Sequence, residues 1–265
     1  MGKHIGVCKL CGKNTELTFE HVPPKSAFNN CKVTIADGLE SLTRDDILPW
    51  ESDGLKGEIS QRGRGGFYLC GDCNSKTGAW YVPFYEEFVK RLHFAIKNED
   101  IHELGGIQIY TKCIRPLAIL KQILVMFCDI NSICDKDKEL QWFLLNKEAT
   151  MKLHGYKVFI YLFKGEVEKH ASMIGKIDLS TGDVDKVSEI AMYPLGMRLY
   201  WDKEESFDSI GVDITNFSQY SYDEEKNATI LFPILESNSV LPEDYRTKKE
   251  IVPDFEFVEK DSDKE

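Results

Sequence analysis

Cys8-Lys9-Leu10-Cys11 and Cys70-Gly71-Asp72-Cys73 are the two stretches that decide how this chain is read. A two-residue spacer lets a tight turn aim both sulfurs of a pair at one point. Two such pairs supply the four thiolates of a closed tetrahedral zinc shell. A redox dithiol is the competing use of one Cys-x-x-Cys pair, but it has no need of a second. Gly12 follows the first pair as a knuckle would require. Phe67-Tyr68-Leu69 reads as a short strand running into Cys70, and Cys73 to Ala79 as a short helical turn. The expected zinc ligands are therefore Cys8, Cys11, Cys70 and Cys73, in a treble-clef order of knuckle, hairpin and helix.

Between the pairs lies Leu17-Thr18-Phe19-Glu20-His21-Val22-Pro23-Pro24-Lys25. Its first four residues alternate apolar and polar, as a half-buried strand does, and Pro23-Pro24 ends it. An imidazole at such a strand end can act as a general base near neutral pH. The adjoining Glu20 carboxylate suits a hard divalent cation. Residues 29–66 read as a long irregular segment rich in glycine. It ends in Gln61-Arg62-Gly63-Arg64-Gly65-Gly66, a flexible basic loop suited to phosphate. Lys25 and Lys76 extend the same basic character.

The strings CKLCG, LTFEHVPPK and FYLCGDCNSKTG, in that order, resemble the HNH endonuclease family in its zinc-containing ββα-metal form. The resemblance spans about residues 7–80. It implies that His21 is the general base activating water, and that Glu20 stands where the family usually writes an acidic Asp ligand. It implies that Asn74 is the last metal contact, from the helix, and that Lys76 faces phosphate. It also implies a Mg²⁺ or Mn²⁺ ion, bound by Glu20 and Asn74, beside the structural Zn²⁺, with nucleic acid, DNA in the first place, as substrate. The family's middle Asn, which precedes the second Cys pair and orients the base, has no counterpart in Arg62 to Leu69. That departure keeps a second reading open, a non-catalytic zinc module that binds nucleic acid or protein.

The rest of the chain carries no such motif. Pro83 to about Asn98 and Pro116 to about Ile130 have helical spacing. Lys157–Phe163, Ser172–Leu179, Gly196–Trp201 and Thr229–Ile234 read as strands, with a turn at Ser180-Thr181-Gly182-Asp183. Cys113 and Cys128 sit in apolar helix-like text and read as buried free thiols, with Cys31 and Cys134 also outside any ligand spacing. His93 and His102 read as ordinary residues. The expected class is α+β. A nuclease-like unit spans 1–80, a helical connector 81–135, an α+β part of unassigned role 136–252, and an acidic tail 253–265.

Composition is that of a globular chain, with 265 residues, 42% hydrophobic and 29% charged. Ile114 to Ile130, the longest apolar region, is interrupted by Arg115, Lys121, Gln122 and Asp129, so no membrane span is expected. The start of the chain lacks the apolar core of a signal peptide, which makes cytoplasmic location the expectation. The net charge of −11 is unevenly spread: residues 1–97 carry 13 basic and 12 acidic side chains, residues 98–265 carry 20 and 32. The N-terminal part can thus still show nucleic acid a local basic face, while the acidic C-terminal part would suit a basic protein partner.

Overall fold

The computed structural model describes residues 2–43, 48–51, 56–97, 105–204 and 206–253. The acidic tail beyond Pro253, and His102, lie outside the described residues. The class is α+β: a four-cysteine cluster lies near the N-terminus and a mainly antiparallel sheet makes up the C-terminal part.

The N-terminal unit is a three-stranded antiparallel sheet of β1 (Ile5–Val7), β2 (Asn14–His21) and β5 (Gly65–Cys70), ordered β1-β2-β5. Residues 29–66 are not wholly irregular. β3 (Val33–Ala36) and β4 (Gly57–Ser60) form a separate antiparallel pair, with α1 (Gly38–Thr43) following β3. The glycines and charges of this segment hide that pairing, because neither strand has a buried face to create a period.

From Cys70 the chain turns directly into α2 (Gly71–Trp80), then α3 (Val82–Ile96), which starts with Pro83 in its first turn. Tyr85, Phe88, Val89, Leu92 and Ile96 form the buried stripe of α3. α4 (Pro116–Asn131) is buried almost all round and ends in a left-handed Ser132. Two of its buried side chains, Lys121 and Asp129, are ionisable. Lys121 donates to the carbonyls of Asn146 (2.7 Å) and Lys147 (3.1 Å). Asp129 has no hydrogen-bond partner for either oxygen.

The 81–135 stretch is not only helical. β6 (Gly106–Ile114) lies within it and pairs with the last strand, β12 (Lys226–Ser237). The large sheet runs β6-β12-β7-β10-β9-β8, with β7 Gly155–Gly165, β8 Lys169–Ile177, β9 Val184–Met192 and β10 Leu195–Lys203. β11 (Val212–Asp213) adds to β7, and the β12–β7 pair is parallel. α5 (Lys138–Leu145) precedes the sheet's central strands. β7 is buried on both faces, and its residues divide by alternation. Val158, Ile160 and Leu162 join the main core with α4, while Phe159, Tyr161 and Phe163 join two small clusters on the other side.

The main core runs without a break from Cys8 and Leu69 through α3 and α4 to β12. The zinc-type unit therefore packs on the rest of the chain. Two cysteine expectations fail. Cys113 is exposed on β6, and Cys128 is joined to Cys134, with Cα atoms 6.0 Å apart, across the end of α4. The turn at Ser132 folds the chain back, which six residues of separation did not announce. Among the described residues, no helix is long and apolar enough to cross a membrane.

Candidate metal centre and the hairpin it holds

Cys8 and Cys11 flank the turn after β1. Cys70 closes β5, and Cys73 lies in the first turn of α2. Their four sulfurs all lie within 4.8 Å of one another, Cys11 Sγ and Cys70 Sγ at 3.9 Å. A zinc ion with bonds of about 2.3 Å sets tetrahedral sulfurs about 3.8 Å apart, so the spacing fits. The backbone agrees. Cys70 N–H donates to Cys8 Sγ at 3.3 Å, and Gly12 N–H closes the knuckle onto Cys8 O at 2.8 Å. Hydrogen bonding, first from Cys73, pulls the Cys8 thiol down to about 4. Burial raises Cys11, and the bond to Cys8 drives Cys73 up. Buried sulfurs that compete for one negative charge need a cation if all are to be thiolates. The cluster is thus able to hold a metal ion such as zinc.

The cluster pins β2 to β5 and α2. A bulge interrupts the β2–β5 ladder: Thr18 faces Leu69, but Phe19 faces Phe67. The alternation of β2 then sorts the candidate residues by face. On the α2 side, Asn74 Nδ2 donates to Thr18 Oγ1 at 3.0 Å, and Glu20 is the next residue of β2 on that side. Glu20 Oε2 is buried with no hydrogen-bond partner. Burial, with the nearby Cys8 charge, raises its carboxyl to about 8. Glu20 and Asn74 therefore share a face, as a common cation would need.

His21 points to the other side. Its ring meets Phe19 edge-on at 5.1 Å, Phe19 meets Phe67 at 5.5 Å, and His4 stacks on Phe67 at 3.5 Å. His21 Nε2 lies 3.1 Å from the Arg62 carbonyl oxygen. A carbonyl only accepts, so Nε2 carries the proton and Nδ1 is left as the basic nitrogen.

Asn29 is the residue that sequence reading missed. It is buried, and its Nδ2 donates to the carbonyls of Pro23 (2.6 Å) and Arg64 (2.7 Å) while its Oδ1 accepts from Arg64 N–H (2.7 Å). Phe28, at φ +72°, turns the chain to aim it there. Gly63, at φ +89°, lies so close that an added Cβ would stand 2.2 Å from Asn29 Oδ1. Asn29 therefore ties the end of β2 to the Arg62–Arg64 loop that presents a carbonyl to His21. Asn29 lies well upstream of the stretch just before Cys70. The signal that could have found it is an amide shortly after a Pro-Pro turn, where an Asn is usually read as turn chemistry. Asn29→Ala strands the Pro23 carbonyl and the Arg64 amide, while the Arg64 carbonyl keeps its bond from Val22 N–H; about 1–3 kcal/mol of stability should go with it, read as a lower midpoint in denaturant.

The basic residues divide. Lys25, Arg62 and Lys76 are exposed, Lys76 in an i,i+4 pair with Asp72 at 3.0 Å. Arg64 is different. It lines a cleft of about 450 Å³ with Trp50, Glu168 and Tyr193, and burial lowers its pKa. It does not share the open surface of Arg62. His93 packs against Phe28, ring centroids 4.5 Å apart, and its Nδ1 is buried without a hydrogen-bond partner. Compared with known proteins, the chain matches no family model, no curated protein and no solved structure.

Proposed function

We propose that the chain is a metal-dependent HNH-like endonuclease whose treble-clef Zn²⁺ site holds the catalytic hairpin. The observation that carries this reading is the hairpin's own arrangement. His21 is fixed by a backbone carbonyl with Nδ1 free, beside Glu20, whose buried oxygen lacks a partner and shares a face with Asn74. Those are the parts of a general base and a hard-cation site on one strand.

In this reading the phosphodiester lies across the end of β2, so that His21 Nδ1 on one face takes the proton of the attacking water while the cation site lies on the other, and the Arg62 carbonyl keeps the imidazole in that tautomer. Glu20 and Asn74 would hold Mg²⁺ or Mn²⁺, which when bound stabilises charge on the phosphodiester and on the departing 3′ oxygen. Lys25, Arg62 and Lys76 meet phosphates. The Lys76–Asp72 pair is exposed, so it is readily given up for that purpose. His4, Phe19 and Phe67 offer an exposed aromatic strip beside the base, on which unpaired bases can stack. DNA is the first substrate expected.

The test is plasmid nicking by the full chain. Cleavage that requires Mg²⁺ or Mn²⁺ supports the reading. The acidic balance of residues 98–265 favours a second one, a zinc module that binds without cutting and takes a basic protein partner through that part. Salt-sensitive nucleic-acid binding with no cleavage under any divalent ion would select it.

A further inference from the structure

Asp129 is buried in the last turn of α4, 1% exposed, and neither of its oxygens has a hydrogen-bond partner. α4 packs on α2, which carries Asn74, and on β5, which pairs with the strand that carries Glu20. The carboxylates of Glu20 and Asp129 lie within electrostatic range, and Tyr68 on β5 feels both. Three buried carboxylate oxygens on these packed elements thus lack a donor, and neither side chain hydrogen-bonds the other. Lys9, whose charge acts on Asp129, is engaged with Ser132 and bonds neither oxygen of Asp129.

Two ionised carboxylates do not stay buried unpaired, and two protonated ones would donate to something. A hard divalent cation between them satisfies all three oxygens at once. We propose that Asp129 is a ligand of the divalent cation held by Glu20, so that the cation site is completed by a helix outside the cysteine-clamped unit. This rests on the nuclease reading and deepens it. It explains why a charged residue interrupts the otherwise apolar text of α4. It also makes the packing of α4 on the hairpin a condition for binding the cation.

The test uses the full, zinc-loaded chain with Mn²⁺ as the probe, followed by isothermal titration and by the thermal midpoint with and without Mn²⁺. Wild type should bind one Mn²⁺ and melt higher in its presence. Asp129→Asn should bind at least ten-fold more weakly and lose the Mn²⁺-dependent shift, while Asp129→Glu, which keeps the carboxylate, restores part of both. Without Mn²⁺, Asp129→Asn should melt no lower than wild type, because it replaces a buried carboxyl that has no partner to lose. Undiminished Mn²⁺ binding by Asp129→Asn, with nicking by wild type intact, overturns the assignment of Asp129 alone. So does an Asp129→Asn chain that fails to fold. If wild type neither binds Mn²⁺ nor cleaves, the nuclease reading falls as well.

Discussion

Cys70→Ser should strip the chain of its zinc and lower its thermal midpoint by about 10 °C or more. Cys70 stands where β5 becomes α2, so one substitution removes both a ligand and the joint between hairpin and helix. Its amide also donates to Cys8 Sγ, linking the two halves of the shell. Three remaining thiols in a buried site hold metal poorly. Structural zinc in small units contributes about 10–16 kcal/mol apparent, so losing even part of it exceeds any single contact in the hairpin. A loss of about 4 kcal/mol is enough for that shift in a chain of this size. The damage should spread, because Cys8, Cys70 and Cys73 belong to the same core as α3 and α4. Cys31→Ser is the control: Cys31 is exposed and outside the cluster, and its replacement should change neither zinc content nor midpoint. Equal zinc in Cys70→Ser and wild type would remove zinc from the account.

His21→Ala should lower the nicking rate by about 10²–10⁴-fold and leave zinc content and thermal midpoint near wild type. The imidazole is half-buried, and its polar contact is the Arg62 carbonyl, so little of the fold depends on it. What goes is the only imidazole on β2 and the free Nδ1 that the Arg62 carbonyl preserves. The pairing of a large kinetic loss with an unchanged fold separates chemistry from stability. Phe19→Leu tests the same face more gently, loosening the ring that His21 meets edge-on. Unchanged nicking by His21→Ala would show that some other group activates the water.

The parts of the molecule that were legible in the sequence are those set by local spacing. The four cysteines converge because two-residue spacers and a strand-to-helix turn leave few alternatives. The stripes Phe88–Leu92–Ile96 and Leu117–Phe127 show their period within a few turns, and α3 and α4 start at the expected prolines. β7 shows itself through its unbroken apolar run. What escaped is set by distant packing. β6 carries Gln108, Thr111 and Lys112, and only its pairing with β12 makes it a strand of the large sheet. β9 contains Glu189, which reads as a solvent residue. It is buried because Lys169, Tyr161 and Tyr245 surround its carboxylate.

The site divides in the same way. Glu20, His21 and Asn74 stand in a recognisable string whose faces follow from the alternation of β2, but the bulge in β5 that shifts their cross-strand partners has no pattern to announce it. Asn29 and Asp129 lie outside that string altogether. One looks like a loop amide, the other like a break in a helix. Both gain meaning only where the chain returns to the hairpin. Arg64 makes the converse point. As text it is the twin of Arg62, yet one step along the loop carries it into the cleft beside Glu168.

The central claim is that one metal scaffolds the hairpin and a different one works at it. The most direct measurement follows both metals in a single preparation of the full chain, cleared of loosely held ions and assayed on supercoiled plasmid. The account predicts about one zinc per chain, no nicking as prepared, and nicking restored by Mg²⁺ or Mn²⁺ with the zinc unchanged. Zinc at full occupancy with no cleavage of DNA or RNA under any divalent ion would contradict it.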